Sequence, residues 1–352
     1  MDALDQIVFA TTSRDLVGFG GVGPVAASMS RTDGLNWWTR QLEQHVAMED
    51  DGQHGRPGSS LAYLTFESRG AVLHRARGPN RNSRADVTHA LVGQEAQVSV
   101  RLALGLHQWR WIGPGAEVGP ELPPMPVEHL RDQIDAGMKR LAGAARSLPG
   151  GLRPLIRASL RNPAKPLAVV TGRLEVDDTL PLVWGMLDIL DEVMPNWRWT
   201  FSTYESFPGG PRAMRLPNLM FLPRLPHEPI GDRAVVDLTG SEPDETGRVD
   251  LDKLLSCYQA EGAQAARQLL RALLDSSPPR PQPIPDPVTV SPVAVTAVQR
   301  VTPEVGLELI ADPSTATSTV NELIRVLNRD VSGEDLLRAL GLRWCAEHGT
   351  LI

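Results

Sequence analysis

Residues Trp197 to Phe207 read W-R-W-T-F-S-T-Y-E-S-F and hold five of the chain's seventeen aromatic residues. Trp197, Trp199 and Phe201 alternate with Arg198, Thr200 and Ser202, the period of two that puts one aromatic face on a strand. The stretch before it, Leu180 to Val193, carries an apolar stripe at helical spacing and stops at Met194-Pro195-Asn196. Working back again, Leu167 to Thr171 is a short, fully apolar strand. Strand, helix, strand predicts a parallel pair joined by a crossover, hence an α/β unit. The helix is expected to start at Asp178 or Thr179 as N-cap, with Pro181 tolerated in its first turn. Leu219–Leu222 and Ala234–Leu238 read as two further strands, and Leu251 to Leu274 as one long closing helix.

Upstream, to about residue 112, the chain reads as mostly strand. Gln6 to Thr11 is a short apolar run. Leu61–Phe66 and Ala71–Ala76 flank Glu67-Ser68-Arg69-Gly70 as the arms of a hairpin. Val87–Val92 is a further strand candidate, Gln97–Leu104 a strand or short helix, and Asn36–Met48 a helix. Gly113 to Pro126 is a proline- and glycine-rich loop. Val127, Leu130, Ile134, Met138 and Leu141 then share one helical face, and Leu148-Pro149-Gly150-Gly151 opens an Arg-rich connection expected to be irregular up to Pro166.

The expected fold is therefore α+β with an α/β part. A mostly-strand N-terminal domain spans 1–126, a helical connector 127–166 and a small α/β middle domain 167–275. A Pro-rich linker covers 276–300, with seven prolines between Ser276 and Pro292 in extended, polyproline-like sequence. A helical tail, 301–352, includes short helices over 320–327 and 333–342.

Composition bounds the function. The 352 residues are 41% hydrophobic and 22% charged, with net charge −7. That balance suits soluble globular domains and argues against general nucleic-acid binding, which rests on neutralising phosphates. Only Lys139, Lys165 and Lys253 are lysines among 35 basic residues, a bias that fits a GC-rich bacterial genome. Cys257 and Cys345 are far apart, so neither a disulfide framework nor a thiolate metal cage is expected, as suits a reducing cytoplasm. The acidic start, Met1-Asp2-Ala3-Leu4-Asp5, is unlike a signal peptide, and no apolar run approaches the roughly 20 residues of a membrane span.

Chemical motifs are few. Gly18-Phe19-Gly20-Gly21-Val22-Gly23 matches G-x-G-x-x-G, but a dinucleotide site needs those glycines directly after a buried strand and at the opening of a helix. Ser13-Arg14-Asp15 interrupts the preceding run, and Ala26–Asp33 makes a poor helix. A Gly-rich turn between strands is the expectation. No lysine follows a glycine, so there is no Walker A loop. No H-x-x-x-H, H-E-x-x-H or G-x-S-x-G occurs. Asp177, Asp178, Asp188, Asp191 and Glu192 read as caps or a solvated helix face. Arg69, Arg75, Arg77, Arg81 and Arg84 lie within sixteen residues, near His74 and His89, with Gly78-Pro79-Asn80 turning among them. Arg75, Arg77, Arg81, Arg84 and His89 are the candidate anion- or partner-binding residues, since convergent guanidinium groups suit an anion. On that reading, serine at the four arginines weakens capture and leaves stability nearly unchanged.

Two blocks resemble the bacterial, mainly actinobacterial, GTPase-associated protein 1 family. The first comprises Gln6–Thr11, Gly18–Gly21, Leu61–Leu64, Val72–Arg75, Ser83-Arg84 and Thr88–Val92. The second is the strand, helix and stop that precede Phe201-Ser202-Thr203-Tyr204-Glu205. Together they cover about half of the chain. The resemblance implies a non-enzymatic cytoplasmic adaptor or scaffold encoded beside GTPases in multi-gene regulatory or conflict systems, with a small GTPase as partner. It implies neither GTPase-activating activity nor catalytic residues. Many relatives carry a long C-terminal region where this chain has a linker and a small tail. No cofactor or metal is expected. The alternative is a nucleotide-binding enzyme or sensor using the Gly18–Gly23 loop.

Overall fold

The computed structural model describes residues 3–48, 56–78, 86–172, 175–206, 216–227, 229–240, 249–275, 307, 309–312 and 335. The chain divides into two compact units, 1–278 and 279–352. In the second, residues 307, 309–311 and 335 are helical. The linker and the two tail helices expected at 320–327 and 333–342 lie outside the described residues, Asp335 excepted.

The first unit is built on one mixed sheet of ten strands. Its antiparallel half comprises β1 (Ala3–Thr12), β2 (Gly21–Ala27), β3 (Ser59–Phe66), β4 (Arg69–Ala76) and β5 (Val87–Gln94). The short β6 (Met125–Pro126) pairs with the start of β1. Its parallel half comprises β7 (Leu167–Val170), β8 (Phe201–Ser202), β9 (Leu219–Leu222) and β10 (Ala234–Asp237). The order is β10-β7-β9-β8-β3-β4-β5-β1-β2. The units expected at 1–126 and 167–275 therefore share a sheet. The seam is the antiparallel pairing of β3 with β8 at Ala62–Ser202 and Tyr63–Phe201. Both halves have an open strand edge and alternate core residues, so joining them hides two edges at once.

Period-two alternation sends each strand's apolar set to two different cores. Leu4, Leu61, Tyr63, Val72, Leu91, Val169, Phe201 and Phe221 meet the helical layer of α2 (Val100–Gly105), α3 (Arg131–Arg146), α4 (Pro149–Arg161), α5 (Val176–Leu190), α6 (Leu251–Glu261) and α7 (Ala263–Asp275). Ile7, Phe9, Leu64, Leu73 and Val92 face the other way, onto Trp38 and Leu42 of the helix Asn36–Leu42 (α1). The middle of the fold is α5, buried along nearly its whole length.

Several elements differ from the expectation, each for a local reason. The aromatic strand shrinks to Phe201–Ser202, because the Thr200 amide bonds the Arg198 carbonyl at 2.8 Å in a tight turn. Trp197 and Trp199 still join the helix-side core. β7 and β8 are parallel members of one sheet, but β9 is inserted between them and pairs with both. α5 begins at Val176, and Thr179 bonds backward to the Val176 carbonyl instead of capping the helix. The segment expected to be irregular, after Leu148, is the helix α4. Leu152, Leu155 and Ile156 bury its inner stripe, and Gly151 and Gly185 let α4 and α5 meet closely, since a Cβ on either would sit within 2.8 Å of a leucine methyl. Packing there outweighs the low helix propensity of Pro and Gly. The long closing helix is broken into α6 and α7 by Gly262, which sits at φ 89°, a conformation glycine adopts at no steric cost. The Asn36–Met48 helix ends at Leu42 and tightens into one 3₁₀ turn.

Candidate functional site

The glycine loop is the turn between β1 and β2, and its interior is filled. Asp15 Oδ1 accepts hydrogen bonds from the backbone amides of Val17 (2.9 Å), Gly18 (2.7 Å) and Phe19 (2.8 Å). The Asp15 amide bonds the Phe19 carbonyl and the Leu16 amide the Pro24 carbonyl, while Arg31 Nε donates to the Leu16 carbonyl. A phosphate cradle needs such amides free and a helix behind them. Here a carboxylate of the same chain already occupies the concavity, and a strand follows. What the loop offers instead is its tip: Phe19 is 71% and Val22 51% exposed.

Among the described residues of the arginine cluster, Arg69, Arg75 and Arg77 go to three different places. Arg75 is fully buried and stitches the seam of the sheet. Its Nε donates to Ser60 Oγ (2.7 Å), its Nη2 to Ser202 Oγ and the Tyr204 carbonyl (both 2.7 Å), and its Nη1 faces Glu205 Oε1 at 3.2 Å. The expectation that serine here leaves stability unchanged is thereby corrected. Arg77 donates to the Arg56 carbonyl (3.2 Å), and Arg56 is itself buried against Asp86. Arg69 lies over the Trp37 ring at 4.4 Å. Arg81 and Arg84 lie outside the described residues.

His89 sits on the helix-side face beside His74, its direct partner across β4 and β5. Its Nδ1 accepts from the Ile112 amide (3.1 Å), so its Nε2 carries the proton toward Gln6 Oε1 at 3.1 Å. Trp109 and Trp111 close over the pair, with the His74 ring stacked on Trp111 at 5.3 Å. Burial, then the nearby Arg75 charge, pulls the His74 pKa down to about 4. Burial, then His74, pulls His89 down to about 3. Both rings are neutral at pH 7, and both ring nitrogens of His89 are engaged inside the fold, by the Ile112 amide and Gln6. Of the acids around α5, Asp177 and Asp178 lie in its first turn and Asp191 and Glu192 on its solvated side, as expected, and Asp188 alone departs. Asp188 is buried, accepting from Trp184 Nε1 (3.0 Å) and Tyr258 Oη (3.3 Å), and burial raises its pKa. Asp191 pairs with Arg101, and Glu192 with Arg267 and Arg271.

A groove of about 440 Å³ opens where the seam ends. Beyond Tyr63 the strand β3 runs on, while the chain before β8 turns away at Arg198–Thr200 and is held just ahead of β9 by Asn218 Nδ2, which donates to the Arg198 carbonyl (2.9 Å). Trp37, Leu64 and Phe66 supply apolar walls; Gln41, Thr65, Glu67 and Arg198 supply polar ones. Its size is in the ligand-binding range. The sequence marks this place only by Glu67, which occupies φ 57° at a two-residue hairpin turn where glycine or asparagine is usual. Arg198 is visible in the sequence only as a lone cation beside the aromatics.

Comparison with known proteins gives no match to a family model, to a curated protein or to a solved structure. Among the described residues, no helix is long and apolar enough to cross a membrane, and no group of three or more His, Cys, Asp or Glu could hold a metal ion.

Proposed function

We propose that the chain is a non-enzymatic adaptor that binds a protein partner, the partner implied by the family resemblance being a small GTPase encoded beside it. One observation carries this reading: the β1–β2 loop is fixed from within by Asp15, yet it presents Phe19 and Val22 to solvent. A loop braced by three amide bonds to one carboxylate has lost most of its conformational freedom before any partner arrives, which lowers the entropic cost of association. Burying an exposed phenylalanine at an interface is worth about 2 kcal/mol, and aromatic anchors on ordered surfaces are the usual hot spots. The nucleotide alternative loses its support at the same loop, since Asp15 holds the amides a phosphate requires.

The test is affinity capture with the tagged full-length chain against the GTPase encoded beside it. The tip variant Phe19→Ser with Val22→Ser should reduce capture at least tenfold with unchanged Tm. Undiminished capture removes the tip from the reading, and a Tm rise with GTP or NAD that Gly20→Val abolishes restores the nucleotide alternative.

A further inference from the structure

We infer that the groove beside β3 is a docking site for an extended peptide of a partner protein, added as a short strand to the open edge of β3 and carrying one acidic and one basic side chain. The inference rests on the adaptor reading and places a second contact at the seam of the sheet, away from the loop tip.

The backbone sets the binding mode. On the seam side of β3, Leu61 receives the Thr203 amide at its carbonyl (3.0 Å) and gives its own amide to Thr203 Oγ1 (2.9 Å). Strand alternation puts the N–H and C=O of Tyr63 and Thr65 on that same side. Tyr63 is met by Phe201. Thr65 would be met by Trp199, but the turn that joins the Thr200 amide to the Arg198 carbonyl has carried the chain off toward β9. The Thr65 N–H and C=O therefore point into the groove, a rung of the ladder that no described residue fills. A peptide laid along β3 takes both, which is how strand addition gains affinity.

The side chains set the selectivity. Arg198, Gln41 and Glu67 all line the groove, and none of the three side chains has a partner among the described residues. Arg198 and Glu67 do not pair with each other, so the groove offers one unspent charge of each sign. Glu67 also holds a left-handed backbone conformation, φ 57°, that glycine would hold without strain. Strain kept in a residue lining a groove is the pattern of binding sites. Trp37, with one face covered by Arg69, and Phe66 form the apolar wall against which alternate side chains of the peptide rest.

The experiment selects a phage-displayed random heptapeptide library on the full-length chain and measures synthetic copies of the enriched sequences by fluorescence anisotropy. Enriched peptides should combine an acidic and a basic residue, and their Kd should rise at least tenfold on Arg198→Glu and on Thr65→Pro. Proline at 65 removes the amide that faces the groove and leaves the β3–β4 ladder intact. Glu67→Gly should weaken the peptide while raising Tm, a combination that a purely structural role for Glu67 does not give. The Phe19→Ser, Val22→Ser tip variant should bind the peptide normally, so failure of the tip and failure of the groove are read separately. The inference is overturned if no peptide is enriched, or if enriched peptides bind Arg198→Glu and Glu67→Gly as tightly as the parent. A concentration-dependent dimer lost on Arg198→Glu overturns it too, by assigning the edge to a second copy of the chain.

Discussion

Replacing His74 with phenylalanine should remove about half of the acid sensitivity that the two neighbouring histidines give this fold. Histidine in an unfolded chain titrates near 6.5, while in the fold His74 is held to about 4 and His89 to about 3. A lowered pKa means that the unfolded chain takes up the proton first. The stability tied to each neutral ring is therefore complete above about pH 6.5 and drains away as pH falls toward the folded value. Between pH 7 and pH 5 each ring accounts for about 2 kcal/mol of loss, with His74 giving the smaller share because its ring is partly exposed. Together they take about 4 kcal/mol, a large part of the stability of an ordinary domain. Phenylalanine keeps the stack on Trp111 and deletes Nδ1, a buried nitrogen without a hydrogen-bond partner among the described residues. Stability at pH 7 should then be unchanged or slightly raised. The assay is urea unfolding of parent and variant at both pH values. Carboxylates titrate alike in the two proteins, so the difference of the two pH losses isolates His74. An equal loss in parent and variant would refute the assignment of a neutral, buried His74.

Arg75→Ala should lower stability by about 3 kcal/mol at pH 7 in chemical denaturation, because Ser60, Ser202, the Tyr204 carbonyl and Glu205 lose a shared charged donor inside the fold; a cost below about 1 kcal/mol would show that the seam does not depend on it. Gly137→Ala should cost about 2 kcal/mol or more, although alanine is the better helix former, because its Cβ would stand 1.9 Å from the Gly105 carbonyl where α3 crosses α2. A gain in Tm for that variant would show that the two helices are free to separate.

How much of this could be read in the sequence follows from the range of the forces involved. β1, β3, β4, β5, β7, β9 and β10 announce themselves through alternating or continuous apolar runs, because burial of each strand is decided by its own residues. α4 does not. Its Pro149-Gly150-Gly151 start reads as a break, and only contact with Leu182 and Gly185 of α5, some thirty residues on, makes glycine an advantage. The single sheet is hidden for the same reason. Nothing local to Leu61–Tyr63 or to Phe201–Thr203 says that two stretches about 140 residues apart pair with each other, and the loop at 113–126 has the composition of a domain boundary. Polar residues inside strands were the available clue. Arg75, Ser60 and Ser202 each sit at a core position of an apolar strand, and a buried guanidinium needs partners from more than one strand.

The same asymmetry governs the working surfaces. A cluster of arginines in sequence suggests convergence, but on a strand successive side chains point to opposite faces. His74 and Arg75 are thus separated by the sheet: one joins the tryptophans on the helical side, the other the seam on the α1 side. The glycine motif fails in the complementary way. Its spacing is right for a phosphate loop, but Asp15, placed two to four residues before the amides it binds, turns the loop into a self-satisfied one. An acidic residue three positions ahead of G-x-G-x-x-G, as Asp15 is here, is therefore evidence against anion binding, and it is readable without a structure. The groove beside β3 has no comparable sequence signature, because it consists of a rung that is missing. A strand that continues past its neighbour is visible only once the neighbour is known, and here the neighbour is removed by a turn three residues long.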